Sequence, residues 1–334
     1  MLSRVADSLY WLQRYRERAE NIARLIDVNL FLTIDAPGDE MQQWEPIVKT
    51  TGDHARFLSL YNKPSERNIL EFLTFDERNP NSILNCIRHS RENARSIREA
   101  ITLEMWNELN LLYLFVQNAS KTRLETTEDR FNFYGRVRRS CQLFTGIMDT
   151  SLSHDEGWHF GRIGNLIERS DQSSRILDVK YFILLPSVEH VGSAYDDILW
   201  AALLKSVSGL EMYRRLWHEI HHAHVIDFIV LNAEFPRSIH SCLKRARESL
   251  RRLNVSETGE DPPLELVGRV CDQLESMTVY DIVKEGLHEF LDGMQARISE
   301  INTSMYATYF APLPQAEEAA AEVAGAAAGA GRTE

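Results

Sequence analysis

The sequence predicts an all-α fold, a helical bundle built from two tandem pseudo-symmetric repeats. Apolar residues recur every three or four positions along most of the chain, whereas the alternation typical of strands is almost absent. A segment that begins at Phe72 also recurs 156 positions later, beginning at Phe228. Cys86 and Cys242 fall on the same offset. One unit of about 150 residues therefore occurs twice.

The repeat also sets the predicted organisation. Near the N-terminus the offset is 151 rather than 156, and the change falls in the loop between Asp27 and Trp44, where an insertion costs little. We predict a first helical repeat over 1–150 and a second over 151–311. The two repeats either share one hydrophobic core or have one core each. The tail, 312–334, is rich in Ala, Glu and Gly with few apolar anchors, and we predict that it is disordered.

Helices are predicted in chain order from apolar stripes and from breaks at Pro, Gly and Asn. Pro80 suits the first position of a helix because its fixed backbone angle fits there. In the first repeat we predict helices over 3–32, from 44, over 68–75, from 80, and over 103–120 and 128–150. In the second we predict them over 159–185, 196–217, 225–231, 236–253, 264–276 and 279–309.

Bulk composition excludes several classes of function. The 334 residues carry a net charge of −12, which argues against nucleic-acid and anionic-membrane binding. No apolar run approaches a membrane span, and the start of the chain runs directly into an amphipathic helix rather than a signal peptide. We therefore expect a cytoplasmic protein. Its four cysteines lack metal-ligand spacing and are expected to be buried thiols.

Charged residues of the first helix form the first candidate site. Spacings of three and four residues place Glu17, Glu20 and Arg24, with Asp27, on one stripe of that helix. The repeat carries the same stripe as Glu168, Asp171, Arg175 and Asp178. Either each stripe is a solvated face knitted by pairs such as Glu20–Arg24, or the two stripes face each other across a polar cleft.

If the two stripes face each other across a cleft, the arginines next to them would take part in the site. Arg18 and Arg169 follow Glu17 and Glu168 directly and would offer planar donor forks for a carboxylate or a phosphate.

A second charged constellation also occurs twice. Its residues are Arg91, Glu92 and Arg95 in the first repeat and Arg247, Glu248 and Arg251 in the second. They lie off the apolar stripe of their helices. We expect them to pair with the helices that carry Glu17 and Glu168, as supporting or opposing groups.

Metal and nucleotide motifs give weak signals. His218-Glu219-Ile220-His221-His222 formally matches HExxH, but the equivalent first-repeat segment contains Pro64, so we expect a loop or helix end. Two Glu-x-x-His segments, at Glu219 and Glu285, are not equivalent in the repeat, which argues against a di-iron site. No phosphate-binding loop is present. We predict neither a metal nor a cofactor.

Several motifs together resemble the bacterial alpha-E domain family, an all-helical family with an ER motif. They are the opening segment 1–21, with Glu17-Arg18, and the segments 90–99, 166–171 and 235–239. The resemblance covers roughly residues 1–310. The family pattern has a Gly-Arg pair before each ER motif. Gln13 replaces the Gly in the first repeat, and Asn165 replaces the Arg in the second. The second repeat therefore lacks the arginine that is equivalent to Arg14, which affects any role of that residue.

The resemblance implies partners rather than a reaction. Members of the family are associated with a circularly permuted ATP-grasp protein and often with a transglutaminase-like peptidase. We therefore expect a helical partner of an ATP-grasp-type ligase in a system that forms or modifies peptide or amide bonds. It would bind the ligase, or a peptide or amino-acid ligand, through its charged helices.

Two alternatives remain open at this point. One is an enzyme in its own right, with Glu17 or Glu168 as a general acid/base tuned by the adjacent arginine. The other is a purely structural scaffold. We expect Glu17→Gln and Glu168→Gln to leave folding intact while abolishing product formation if either site hypothesis holds.

Overall fold

A computed structural model describes residues 1–35, 40–122, 124–184, 194–253 and 261–311. Within these ranges the chain forms fifteen α-helices and no strand, so the all-α prediction is confirmed. The tail predicted over 312–334 lies outside the described residues. The helices are α1 Ser3–Asp35, α2 Glu40–Thr51, α3 His54–Leu60, α4 Glu66–Thr74, α5 Ile83–Ser96, α6 Leu103–Thr122, α7 Thr127–Ser151, α8 Glu156–Leu184, α9 Ala194–Ser206, α10 Leu210–Leu216, α11 His222–Ile226, α12 Ile239–Leu250, α13 Pro262–Ser276, α14 Val279–Glu285 and α15 Leu287–Met305.

The two long helices α1 and α8 pack along each other at the centre of the molecule. Helices α5 and α7 flank α1, and α12 and α15 flank α8. Because both central helices are surrounded, their polar sides are buried as well as their apolar sides. This arrangement places the charged stripes of α1 and α8 inside the protein.

The largest cluster of buried apolar side chains draws on both halves of the chain. Trp44 and Phe72 belong to it, as do Phe228 and Met305. Burial of large apolar side chains is the main favourable contribution to folding. The division into repeats over 1–150 and 151–311 remains a prediction.

Two equivalent helices begin later than predicted. Helices α5 and α12 start at Ile83 and Ile239 rather than at the prolines three residues earlier. The hydroxyls of Ser82 and Ser238 accept hydrogen bonds from backbone N–H groups in the first turn, at 3.3 and 3.0 Å. A serine that satisfies such an unpaired donor is a strong start signal, and it determines the helix start here.

Two segments predicted as single helices are interrupted. The first breaks between α9 and α10, where Ser208 has a φ of 53°. The second breaks between α14 and α15 at Gly286, with a φ of 105°. A right-handed helix requires negative φ, so each residue ends the helix before it. No helix in the described part of the chain is long and apolar enough to cross a membrane.

The close packing of α1 on α8 depends on Gly164. A Cβ atom at this position would lie 2.3 Å from the backbone oxygen of Tyr10. No side chain beyond hydrogen fits there without moving one helix, so the glycine sets the distance between them.

We predict that Gly164→Ala lowers the free energy of unfolding by about 1–3 kcal/mol, the usual cost of overpacking. Gly268→Ala is the matched control, because a Cβ there meets no atom within 4 Å. That control should be neutral or stabilising by up to about 1 kcal/mol, since alanine favours a helix. Urea unfolding of both variants measures this, and equal stability of the two would contradict the packing argument.

Candidate functional site at the crossing of α1 and α8

The two ER motifs bind each other. Arg18 of α1 donates from Nε and Nη2 to the two carboxylate oxygens of Glu168, at 2.6 and 3.0 Å. Arg169 of α8 donates in the same way to Glu17, at 2.9 and 3.0 Å. Each contact is a two-point fork, the strongest geometry for an arginine and a carboxylate. The predicted donor forks therefore exist, but they bind carboxylates of the protein itself.

A second arginine from the opposite half of the chain binds each carboxylate. Arg14 donates to Glu168 at 2.9 Å, and Arg237 donates to Glu17 at 2.8 Å. Asn165, at the position equivalent to Arg14, donates to Glu17 at 2.8 Å. The departure from the family pattern at Asn165 is thus offset, because Arg237 supplies the second cation on that side.

Glu20 and Arg24 extend the network along α1. Glu20 accepts hydrogen bonds from Arg24 at 2.9 Å and from Arg237 at 2.6 Å. Arg24 also donates to the backbone oxygen of Ser206 at 2.8 Å, which ties α1 to the end of α9. Burial and the neighbouring Arg237 lower the pKa of Arg24 to about 9, so its charge is retained at neutral pH.

The carboxylates of this network are inaccessible to water. The exposed fractions of Glu17, Glu20 and Glu168 are 0%, 1% and 0%. The interpretation of these stripes as solvated faces is therefore wrong for the three glutamates. It assumed that the side of α1 opposite its apolar stripe meets solvent, whereas α8 covers that side.

The stripes do face each other, but their own ion pairs fill the space between Glu17 and Glu168. Burial raises the pKa of the Glu168 carboxyl, but Arg18 and Arg14 outweigh this effect and hold it at about 2. Burial likewise opposes ionisation of Glu17, and Arg169 with Arg237 brings its pKa well below the ordinary value. Both groups are permanent anions at neutral pH.

The remaining stripe residues lie at the edge of the network. Arg175 donates to Asp171 at 2.9 Å within α8. Asp27 pairs with Arg138 of α7, and Asp178 with His288 of α15 at 2.8 Å.

The thiols beside the network are packing groups. Cys86 and Cys242 are free and fully buried, as are Cys141 and Cys271. Burial raises the pKa of Cys86 to about 12 and that of Cys242 to about 11. A thiol needs to ionise before it reacts as a nucleophile, so these cysteines are inert at neutral pH.

The three α5 residues of the second charged constellation, Arg91, Glu92 and Arg95, make their ion pairs with one another rather than with the ER motifs. Arg91 binds Glu92 at 2.8 Å and lies over the ring of Tyr113 in α6, and Arg95 binds Glu92 at 2.7 Å.

In the second-repeat half, Arg247 binds Asp272 of α13 at 2.9 Å, and Arg251 is exposed at the end of α12. Glu248 alone reaches an ER-bearing helix, at 3.9 Å from Arg162 of α8. The expectation that the constellation supports Glu17 and Glu168 is therefore wrong for Arg91, Arg95 and Arg247.

A cleft adjoins the buried network. Its volume is about 570 Å³, and it lies among α1, α7, α8 and α12. Arg169 lies in its wall and connects it to Glu17. The residues lining it are Gln13, Thr145, Gly146, Met148, Asp149, His154, Trp158, Arg162, Asn165, Leu166, Arg169 and Arg245.

Sequence reasoning missed several of these groups. Arg237 could have been identified from the sequence, because it is charged whereas the equivalent residue of the first repeat, Asn81, is not. Both residues lie just before a helix. Arg162 and Arg245 carried no signal, because only the packing of α8 on α12 brings them together.

Candidate metal ligands do not cluster in the described part of the chain. Across the described residues, no group of three or more His, Cys, Asp or Glu side chains could hold a metal ion. The HExxH match lies in the connection between α10 and α11, off the regular helix that a zinc site of this kind requires.

Comparisons with known proteins assign the family. Residues 1–310 match the family model Alpha-E, described as a predicted alpha-helical domain with a conserved ER motif, and the chain belongs to this family. Over 322 residues it is 26% identical to uncharacterised proteins of Mycobacterium bovis and Mycobacterium tuberculosis, and 25% identical to one of a second M. tuberculosis strain. Each match covers 91% of this chain, which spans 35% of the relative's length. No solved structure matches the chain.

The burial of Glu168 changes the outcome expected for Glu168→Gln. Removing one partner of a buried ion pair typically costs about 3–5 kcal/mol, because the other charge stays buried. We predict a destabilisation of about this size, measured by urea unfolding. Glu92→Gln, which breaks two exposed pairs on α5, is the control and should cost less than about 1 kcal/mol. Similar losses in both variants would contradict the network's role.

The low pKa of Glu168 also predicts a pH dependence. The carboxyl ionises at about 2 in the folded protein and near 4.5 when unfolded. The ion pair therefore contributes its full stability above pH 4.5, and this contribution is lost as the pH falls towards 2. In unfolding measurements from pH 5 to pH 2, the stability difference between the native protein and Glu168→Gln should shrink. A constant difference would show that the carboxylate is not the origin.

Proposed function

We propose that this protein is a non-catalytic helical partner of an ATP-grasp-type ligase, in a bacterial cytoplasmic system that forms or modifies peptide or amide bonds. The observation that carries the proposal is that Glu17 and Glu168 are buried and each binds two arginines from the opposite half of the chain. These groups stabilise the fold and leave ligand binding to the neighbouring surface. A transglutaminase-like protein is a further proposed partner.

The lengths of the relatives support a partner role. Roughly two thirds of each mycobacterial relative lies outside the match, since the chain spans 35% of their length. In those proteins the matching region is covalently joined to further sequence. A region that is joined to a further polypeptide segment in its relatives is well suited to bind a separate partner here.

An independent enzyme built on an ER glutamate is less well supported. A general acid or base works best with a pKa near the operating pH and within reach of its substrate. The pKa values of Glu17 and Glu168 lie well below neutrality, and neither side chain is accessible. Their donors also occupy both oxygens of each carboxylate.

We also infer that the two halves are related by pseudo-two-fold symmetry. The exchange of partners supports this, since Arg18 binds Glu168 while Arg169 binds Glu17. Asn21 and Gln172, equivalent at the same offset, bind each other at 2.7 Å, as residues on such an axis would. Under this proposal the ER motif is the contact between repeats.

Affinity purification of the tagged chain from its native host tests the proposed function. We predict recovery of an ATP-grasp-type ligase in near-stoichiometric amount by mass spectrometry, with the tag alone as control. The purified chain should show no turnover of ATP and peptide until the ligase is added. Turnover by the chain alone would overturn the partner role, and so would repeated recovery of the chain without a ligase.

A further inference from the structure

The cleft beside the ER network gathers arginines from two helices. Arg162 and Arg169 are seven residues apart on α8, which places them on one face two turns apart. Arg245 reaches the same cleft from α12. Three guanidinium groups therefore share one opening on the surface.

These guanidinium groups retain unused donors. Arg169 gives Nε and Nη2 to Glu17, and its Nη1 makes no hydrogen bond to any described residue. Within the described ranges, Arg245 has neither a hydrogen bond nor an ion pair. Arg162 reaches Glu248 only at 3.9 Å and otherwise lies over the ring of Trp158, 5.0 Å from its centre. A guanidinium carries five donors in a fixed fork, so the cleft presents several free N–H groups.

The buried network behind the cleft carries a net positive charge, as the arginines of the cleft do. Arg16, which is fully buried and lies 3.4 Å from both Glu17 and Glu20, also belongs to the buried network. The network therefore contains three carboxylates and six guanidinium groups, an excess of three positive charges. Asp149 is the acidic residue of the lining, and its side chain is 62% exposed and turned towards His154. A site of this kind attracts an anion, because burial reduces the screening of the charges behind it.

Apolar side chains also line the cleft. Trp158 and Leu166 of α8 and Met148 of α7 contribute to it, and Gly146 of α7 adds no side chain. A volume of about 570 Å³ lies within the range of small-molecule sites, which combine apolar walls with a few polar groups that fix orientation. The lining therefore fits a ligand with one anionic end and an apolar body.

We propose that this cleft binds the carboxylate end of a short peptide or an amino-acid derivative. Arg245 and Arg162 hold the carboxylate, Arg169 contributes its free Nη1, and Trp158 with Met148 contacts the apolar body. The assignment names a substrate class for the binding role proposed above and rests on that role for its biological meaning. The binding itself rests on the cleft alone.

Isothermal titration calorimetry of the full chain at low ionic strength tests the assignment. The probe is N-acetyl-alanyl-leucine with a free carboxylate, compared with its C-terminal amide and with inorganic phosphate. We expect the carboxylate form to bind at least tenfold more tightly than the amide. Arg245→Gln and Arg162→Gln should each weaken binding by about tenfold, the effect of losing one charge-assisted hydrogen bond.

Arg251→Gln is the matched control, since Arg251 lies at the exposed end of α12, outside the cleft lining, and its loss should leave affinity unchanged. Unchanged unfolding temperatures show that the variants fold, and the two cleft variants serve as independent tests. Equal binding of acid and amide, binding of phosphate alone, no binding at millimolar probe, or affinity insensitive to both substitutions would overturn the assignment. Recovery of the ligase with Arg245→Gln separates a failure here from a failure of the partner role.

Discussion

The pairing of two buried carboxylates with arginines from the opposite half of the chain is the interaction on which the rest of the structure depends. A buried carboxylate without a cation is strongly unfavourable, so Glu17 and Glu168 are stable only where Arg169 and Arg18 reach them. This requirement fixes the register of α1 against α8. Gly164 then allows the two backbones to approach closely enough for the forks to form. The flanking helices pack on a pair whose geometry is already set.

The same network separates structure from binding within one region. Each glutamate of the network is paired with arginines, and the guanidinium groups outnumber the carboxylates. One of these arginines, Arg169, pairs with Glu17 on its buried side and also lines the open cleft. In this protein the ER motif is therefore a structural support that lies beside the proposed binding cleft. This support tolerates a change of residue. Asn165 lacks the positive charge of the equivalent Arg14, and Arg237 supplies that charge to Glu17 instead.

Much of the fold could be predicted from the sequence, because helical periodicity and internal repetition are local signals. The long first helix followed from such signals. The interruptions at Ser208 and Gly286 did not, since a single residue with positive φ leaves the apolar pattern on both sides intact.

The site was only partly predictable, for a different reason. The repeat identified Glu17-Arg18 and Glu168-Arg169, but their burial depends on α8 covering the polar side of α1, which helical periodicity does not encode. The cleft was missed because its arginines, Arg162 and Arg245, come from helices that meet only in three dimensions.

The exchange of partners has a consequence for how such a chain can arise. Glu17 finds Arg169 and Arg237 only in the second half, and Glu168 finds Arg14 and Arg18 only in the first. A single half would therefore hold its glutamate beside too few cations, but two copies of that half, facing each other as a homodimer, would satisfy both. Gene duplication and fusion would then turn an intermolecular contact into an intramolecular one. After fusion each half could change separately, and a cleft on one side could become specialised while its counterpart did not.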